Sequence, residues 1–344
     1  MRWPQTRLTG LLGTTYPIVQ AAMAGGPSTV DLAVAVSNAG GLGSIAGAIL
    51  SPGRLRDEIR MYRERTARPF AVNLFAAEPP ATVEPELLEA VCGELARHRR
   101  RLGLPEPAPP RARTWTLDEQ LTVIVDERVP VLSFTFGIVP IAGLEGIVTI
   151  GTATTVGEAL ALEGAGVDAI VVQGAEAGGH RGTFLGPPAD ALVGLIALVP
   201  QVADAVSVPV IAAGGVVDGR GVAAALTLGA AGVQLGTAFL FCAESGADAV
   251  WRQALRTFPS VVSDAYTGRA ARGARTPFVD QLIAGPRPAP YEVQRALTAD
   301  FRCLNGHGWY LGGQAAGHAR ELPAAELMSA IVEETRAALA RLTR

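Results

Sequence analysis

The chain has 344 residues, of which 49% are hydrophobic and 18% are charged, and its formal net charge at pH 7 is −3. This length fits one large domain or a large domain with a smaller partner, and the composition is typical of a compact α/β enzyme. The weakly acidic charge does not favour binding to nucleic acid. The sequence has no apolar run long enough to span a membrane and no signal-peptide core. We therefore predict a cytoplasmic protein.

Short apolar runs alternate with helical patterns along most of the chain. Apolar strands of this kind, separated by amphipathic helices, indicate a parallel sheet covered by helices. Eight such units within about 250 residues predict an α/β fold of the (β/α)8 TIM-barrel type. A doubly wound open sheet is the alternative, although no Gly-x-Gly-x-x-Gly turn follows the first strand. The predicted strands lie at 17–20, 42–45, 70–73, 131–134, 146–150, 168–173, 208–212 and 232–235, with helices such as 155–164 and 219–228 between them.

Two segments interrupt this alternation. Residues 78–115 are rich in proline and arginine, and we predict an insertion after the third strand with a helix over 84–101. Residues 241–320 contain several prolines and aromatics, which predicts a smaller, mostly helical cap domain over the barrel mouth. The barrel domain would then comprise residues 1–240 and about 321–344, where a final amphipathic helix packs back on the barrel.

The sixth predicted strand leads into a loop with four glycines, from Gln173 to Gly182, that contains His180. Glycine tolerates positive φ and lets the backbone approach a ligand closely. Imidazole is the side chain whose ordinary pKa suits proton transfer near neutrality. The loop predicts a cofactor-binding turn with a catalytic or anion-binding His180; a glycine-rich turn with a surface histidine is the alternative.

Glycines also follow the seventh and eighth predicted strands. Barrel enzymes place their sites at the C-terminal strand ends, where backbone N–H groups of these two loops and a helix N-terminus bind phosphate. The alternative is that the glycines only allow strand and helix to pack tightly. The predicted phosphate-binding residues are Gly214, Gly215, Gln234, Leu235, Gly236 and Thr237.

Two amides at strand ends favour FMN over NAD as the cofactor. Asn73 and Gln173 can each present a donor and an acceptor to the polar edge of an isoalloxazine ring. Either residue could instead be a buried amide satisfied by the backbone. Met23, next to Ala22 in the loop after the first strand, could lie against the ring, although a lone methionine is more often core filler.

Lysine is absent, so all 29 basic residues are arginine. This excludes Schiff-base chemistry and a P-loop lysine. The three scattered cysteines, Cys92, Cys242 and Cys303, show no CxxC spacing, so we predict neither a disulfide framework nor a metal site.

These motifs together resemble the nitronate monooxygenase family, formerly called 2-nitropropane dioxygenases. The resemblance spans nearly the whole chain, and its most specific parts are the His180 loop and the phosphate segment. The segments that carry it are 17–26, 37–43, 133–137, 173–182, 212–237, 263–272 and 312–316.

The resemblance implies an FMN-dependent (β/α)8-barrel enzyme that oxidises alkyl nitronates, such as propionate 3-nitronate, with molecular oxygen. It also implies one-electron transfer from the nitronate to FMN through a flavosemiquinone. His180 matches the catalytic histidine of the family. The implied flavin contacts are Met23, Asn73, Gln173 and Gly178 at the ring, and Gly215, Gln234, Leu235, Gly236 and Thr237 at the phosphate.

The chain departs from the family at the substrate end. Ala22 stands where proline is common, and Thr135 stands where related sequences often have histidine. The cap commonly supplies a lysine and tyrosines; this chain has Tyr266, Tyr291 and Tyr310 but no lysine, so Arg269, Arg272 and Arg302 are candidates for the missing cation.

Two other functions remain open at this level. An FMN-dependent NAD(P)H reductase of quinones or enoyl thioesters is the alternative, because relatives on the same barrel carry out such reactions. A flavin-binding protein without turnover is a third possibility, which an imidazole in the loop argues against, because retention of FMN alone does not need one.

Overall fold

The computed structural model describes residues 3–76, 82–105 and 114–342. Residues 77–81 and 106–113 lie outside the described residues, and all of them except residue 77 belong to the predicted insertion; the side chain of Cys303 is also outside the description. The strands, in chain order, are β1 (Ile18–Gln20), β2 (Gly43–Ala46), β3 (Phe70–Phe75), β4 (Val131–Thr135), β5 (Val148–Ala153), β6 (Ala169–Gln173), β7 (Gly179–His180), β8 (Val210–Ala213), β9 (Gly232–Leu235), β10 (Ser260–Ser263) and β11 (Ala271–Ala274).

Eight of these strands form one parallel sheet, in the order β1-β9-β8-β6-β5-β4-β3-β2. The sheet closes where Val19 of β1 bridges to Leu42, just before β2. In this bridge the N–H of Gln20 donates to the carbonyl of Leu42 at 2.8 Å, and the N–H of Leu42 donates to the carbonyl of Ile18 at 2.9 Å. The predicted TIM barrel is therefore confirmed, and all eight predicted strands lie in it.

The helices pack around this barrel or belong to the cap. In chain order they are α1 (Arg7–Leu12), α2 (Val30–Asn38), α3 (Pro52–Arg63), α4 (Pro85–Leu102), α5 (Leu117–Asp126), α6 (Val156–Gly164), α7 (Leu195–Ala205), α8 (Gly219–Thr227), α9 (Thr237–Leu240), α10 (Ala249–Thr257), α11 (Pro277–Ile283), α12 (Tyr291–Leu297) and α13 (Ala324–Leu342). Side-chain N-caps define several of the starts, for example Thr29 at α2, Thr155 at α6 and Asp218 at α8. The C-terminal helix α13 packs against α8 and α2 and covers the barrel between them.

The alternation of strand and helix fails at one place. Residues 136–147 connect β4 to β5 without a helix. Gly137, Gly143 and Gly146 of this connection all have positive φ, and Pro140 interrupts it further, so a helix cannot propagate through it.

The cap contains a three-stranded antiparallel sheet where the sequence predicts mostly helix. Strands β10, β11 and the two-residue β7 pair side by side, with His180 opposite Ala271. The sequence does not reveal this sheet, because β11 reads Ala-Arg-Gly-Ala without an alternating apolar pattern and β7 has only two residues.

Helix α4 of the insertion packs into the apolar interior of the segment that follows the barrel. Val91 and Leu95 join the same buried cluster as Phe278, Leu282 and Phe301. We refer to α4 and residues 241–320 together as the cap. In the described ranges, none of the helices is long and apolar enough to cross a membrane.

Candidate active site

A cavity of about 490 Å³ lies at the C-terminal ends of the barrel strands and is lined by both the barrel and the cap. The barrel contributes the ends of β3, β4, β6, β8 and β9, and the cap contributes residues such as Tyr291 and Trp309. This is the edge at which enzymes of this fold assemble their sites. The cavity is therefore the candidate active site.

Most of the residues predicted from the sequence meet here. Of the twelve predicted, only Leu235 is not part of the cavity wall, because its side chain is fully buried in the barrel core. The eleven lining residues are Ala22, Met23, Asn73, Gln173, Gly178, His180, Gly214, Gly215, Gln234, Gly236 and Thr237.

The glycines after β8 and β9 line the cavity, and Gly236 among them faces open space, whereas a Cβ at Gly214 or Gly215 would meet residues 174–177 of the His180 loop. Gly214 and Gly215 have φ of +119° and +70°, a conformation that side chains other than glycine rarely adopt. A Cβ added at Gly236 would meet only the Cβ of Ala21 at 3.4 Å and the sulfur of Met23 at 3.9 Å, so protein atoms leave the space in front of it open. We call Gly214, Gly215, Gly236 and Thr237 the glycine cradle.

Backbone donors at the glycine cradle come from α9 and not from α8. No side chain caps α9, which begins at Thr237, and the first N–H groups of a helix have no intrahelical acceptor. The N-terminus of α8 is already occupied, because Asp218 accepts from the N–H groups of Arg220 and Gly221. The glycine cradle therefore offers donors to one anionic group.

The two predicted amides are braced by the protein. Asn73 donates from Nδ2 to Oγ of Ser133 at 3.0 Å. Gln173 donates from Nε2 to the carbonyl of His180 at 3.0 Å, and its Oε1 accepts from the N–H of Gly182 at 2.9 Å. The carboxamide of Gln173 is thus hydrogen-bonded to the backbone at the C-terminal end of the His180 loop. This is the alternative given above, in which the amide is satisfied by the backbone.

Gly178 allows the cap to dock on this loop. A Cβ at Gly178 would lie 2.3 Å from the carbonyl carbon of Gly312 and 2.4 Å from the nitrogen of Gly313. The N–H of Gly313 in turn donates to Oγ1 of Thr237 at 2.9 Å. The close approach therefore fastens residues 312–313 of the cap to the glycine cradle.

His180 is held between the barrel and the cap. Its backbone pairs with Ala271 in the cap sheet, and its Nε2 lies 2.9 Å from Oγ1 of Thr267. Burial, followed by the positive charges of Arg269, Arg302 and Arg295, lowers the pKa of His180 to about 3. The imidazole is therefore neutral at physiological pH, so it carries no charge with which to hold an anion. Its neutral form can accept a proton, but so low a pKa makes it a weak base.

Aromatic rings surround the imidazole. The ring centroids of His180 and Tyr291 are 5.3 Å apart, and those of His180 and Phe136 are 6.3 Å apart. The guanidinium of Arg269 lies over the Phe136 ring, with Cζ 3.7 Å from its centroid. Burial raises the pKa of Tyr291, so its phenol remains protonated.

Only one of the three arginines proposed as the missing cation lines the cavity. Arg302 does so, whereas Arg272 donates to the carbonyl of Ala175 and to Oγ of Ser260. Arg295 also lines the cavity and was not anticipated. The sequence carries only a partial signal, because the four-residue spacing places Arg295 on the same face of α12 as Tyr291 but does not say that this face meets the cavity.

Of the three cap tyrosines named above, two line the cavity and one does not. Tyr291 and Tyr310 line the cavity. Tyr266 is buried inside the cap, where its hydroxyl donates to the carbonyl of His307 at 3.0 Å.

The chain is similar to known proteins along almost its entire length. A family model described as "Nitronate monooxygenase" matches residues 5–334. A probable nitronate monooxygenase of Staphylococcus aureus (strain JH9) is 41% identical over 350 residues, covering 96% of this chain and 98% of the relative.

Two solved structures are also similar. A nitroalkane oxidase from Streptomyces ansochromogenes is 40% identical, with a TM-score of 0.90 and coverage of 97% of this chain and 99% of that one. FabK from Thermotoga maritima is 30% identical, with a TM-score of 0.75 and coverage of 98% of each chain. The protein is accordingly an oxidoreductase that acts on a small molecule, and the chain belongs to the nitronate monooxygenase family.

Proposed function

We propose that the protein oxidises alkyl nitronates, of the propionate 3-nitronate type, with molecular oxygen by means of FMN bound in the cavity. The observation that carries this proposal is the glycine cradle in the same cavity as a neutral His180. The likeness to a protein named a nitroalkane oxidase supports nitro compounds as the substrate class.

The residues of the cavity fit FMN. The glycine cradle presents backbone donors to one phosphate. A side chain at position 236 would project into the cavity, so glycine leaves that space free for the phosphate. Among the described residues that line the cavity, we find a single cradle of this kind, which favours FMN over the diphosphate of FAD. When bound, FMN would supply the electron acceptor that oxygen then reoxidises.

The protein's own groups suit an anionic substrate. Arg295 and Arg302 line the cavity and give it positive charge, which attracts a nitronate. The nitronate carbon is already deprotonated and needs no base. A neutral nitroalkane needs one, and His180 is the neutral base beside the arginines.

Cofactor identity is the first test. Acid release from the purified protein should yield FMN, and Gly236→Val should abolish FMN retention without unfolding the protein, because no protein atom blocks the new side chain. Gly53→Val is the matched control, since Gly53 is exposed on α3 with no atom near its Cβ position. Release of FAD, or full FMN occupancy in Gly236→Val, would show that the cofactor assignment or the cradle is wrong.

Electron donor identity is the second test. The flavoprotein is mixed without oxygen with a nitronate in one experiment and with NADH in another. We expect the nitronate to reduce the flavin and NADH to do so far more slowly. Rapid bleaching by NADH alone would instead establish an NAD(P)H-dependent reductase.

A further inference from the structure

We propose that Thr267 is a positioning residue that sets the tautomer of His180, so that Nδ1 is the basic atom of the ring. Thr267 lies in segment 263–272, which belongs to the family resemblance, but the resemblance assigns it no role. The inference rests on the proposed function, because it assigns a task to His180 in the reaction of neutral nitroalkanes.

The hydrogen bonds of the Thr267 hydroxyl decide the tautomer. Its Oγ1 lies 3.1 Å from the carbonyl of Arg269, to which it can only donate, and 2.9 Å from Nε2 of His180. A hydroxyl carries one proton, and that proton is used on the carbonyl. Oγ1 must therefore accept from His180, so Nε2 carries the proton.

The other ring nitrogen, Nδ1, is then unprotonated and carries a lone pair. A neutral imidazole has one N–H, and the proton on Nε2 leaves Nδ1 bare. Within the described part of the chain, the bond to Thr267 is the one hydrogen bond of the His180 ring. Nδ1 is thus open to a ligand in the cavity that His180 lines.

Thr267 is itself rigidly placed. It is buried, and it lies in a turn where its own N–H and that of Gly268 both donate to the carbonyl of Asp264. Gly268 has φ +77°, and a Cβ there would lie 2.2 Å from the carbonyl oxygen of Ala289. The turn therefore cannot move without displacing the chain packed against it.

The barrel and the cap consequently share control of His180. Gln173 of the barrel fixes the backbone carbonyl of His180, and Thr267 of the cap fixes the ring. The base is correctly oriented only while the cap is docked.

The surrounding charges keep the ring neutral. Four titratable groups face the imidazole of His180. They are Arg269 on the loop that contains Thr267, Tyr291 and Arg295 on α12, and Arg302 in the 3-10 helix Asp300–Cys303. The three cations oppose protonation, so the lone pair on Nδ1 persists at neutral pH.

The proton transfer balances with this tautomer. The α-C–H bond of the nitroalkane breaks, its proton forms an N–H bond at Nδ1, and the electron pair passes to the nitro group to give the nitronate. The resulting imidazolium keeps its Nε2–H on Thr267, and the nitronate is stabilised by the nearby arginine charge.

The experiment compares Thr267→Val, which removes the hydroxyl but keeps the shape, with Thr267→Ser, which keeps the hydroxyl. The ring nitrogens are observed by 15N NMR in the flavin-loaded protein, with the His180 signals among the four histidines assigned through His180→Asn. We expect a protonated Nε2 and a bare Nδ1 in the wild type and in Thr267→Ser. Thr267→Val should shift part or all of the population to the other tautomer.

Kinetics supply the second readout. In Thr267→Val, kcat/KM for a neutral nitroalkane should fall by about 10-fold or more, because loss of the hydrogen-bond partner that sets a histidine tautomer costs rate even where the geometry is kept. The nitronate should lose less, and Thr267→Ser should restore most of the nitroalkane rate. Flavin content and circular dichroism are measured on each variant.

Three results would overturn the proposal: a proton on Nδ1 in the wild type, an unchanged tautomer in Thr267→Val, or no recovery in Thr267→Ser. If the wild type turned over neither nitroalkane nor nitronate, the proposed function would fail, and the spectra alone would still decide the tautomer.

Discussion

Burial and charge act in the same direction on His180. Removal of the imidazole from water disfavours its charged form, and the positive charges of Arg269, Arg302 and Arg295 disfavour it further, so the pKa falls to about 3. An ordinary histidine would be partly protonated near pH 6.5. In this cavity the ring instead stays unprotonated across the physiological range.

Replacement of His180 should separate the two forms of the substrate. His180→Asn keeps a donor but removes the base, so activity on a neutral nitroalkane should fall by about 100-fold or more. Turnover of the corresponding nitronate should fall less, and FMN should stay bound. Steady-state kinetics on both forms, with flavin content measured in parallel, test this expectation.

The matched control is His318→Asn, because His318 is exposed and does not line the cavity. An equal loss on both substrate forms in His180→Asn would show that the imidazole holds the anion and is not a base.

The same depressed pKa predicts how stability depends on pH. Between the ordinary pKa near 6.5 and the folded value near 3, the unfolded chain binds a proton at His180 that the folded chain does not. The free energy of unfolding should therefore fall as the pH falls below 6.5, by about 2 kcal/mol from this group between pH 7 and pH 5. Denaturant unfolding at both pH values should show a smaller acid loss in His180→Asn than in the wild type. Identical losses would mean that His180 is not kept neutral by the fold.

At the level of elements, the cap and the barrel meet through backbone. The His180 loop adds β7 to the cap sheet, and the 312–313 segment of the cap lies against Gly178 and bonds to Thr237. The cavity wall is thus completed by contacts that only small residues permit.

Gly178→Ala tests this close approach. The added Cβ would lie 2.3 Å from a backbone carbon of Gly312, so the segment must move. We expect a loss of about 2 kcal/mol in the free energy of unfolding, typical of overpacking, together with faster FMN release as the bond to Thr237 weakens. Thermal unfolding and the flavin dissociation rate are the measurements. Gly317→Ala, which has no atom near the new Cβ, is the control, and equal behaviour of the two variants would contradict the prediction.

On the scale of the whole molecule, a partly buried ion pair joins the insertion to the rest of the cap. Arg99 of α4 is 2% exposed, and its guanidinium donates to both carboxylate oxygens of Asp300, at 2.5 and 2.7 Å. It also donates to the carbonyls of Leu297 and Pro105 and lies over the ring of Phe301. The pair therefore links two segments about 200 residues apart in the chain.

The two partners should differ in their contribution. Asp300→Asn leaves a buried guanidinium without its counter-charge and should cost about 2 kcal/mol, below the usual range for buried pairs because the Asp300 side chain is 42% exposed. Arg99→Met should cost more, because it removes the donors to the carbonyls of Leu297 and Pro105 as well as the partner of Asp300. Denaturant unfolding measures both, with Glu321→Gln as the control for the exposed pair with Arg256. A larger loss in Asp300→Asn than in Arg99→Met would contradict this order.

The sequence by itself determined the barrel and the barrel side of the site. Apolar runs with glycine at their ends are local patterns, and parallel strands bring their C-terminal ends to one edge whatever the rest of the chain does. For that reason Asn73, Gln173 and the glycine cradle could be located from the sequence. The sequence does not show that the side chain of Leu235 lies away from the cavity, because the motif alone does not say which of its side chains face the inside of the barrel.

Only the tertiary structure decided what the cap adds. The contact of His180 with Thr267 spans 87 residues, the pairing of β7 with β11 leaves no periodic signal, and Arg295 enters the cavity through the placement of a short helix. None of these follows from neighbouring residues, because each depends on how the cap docks on the barrel. The proton state of His180 belongs to the same class, since it is set by burial and by arginines that folding brings to the ring.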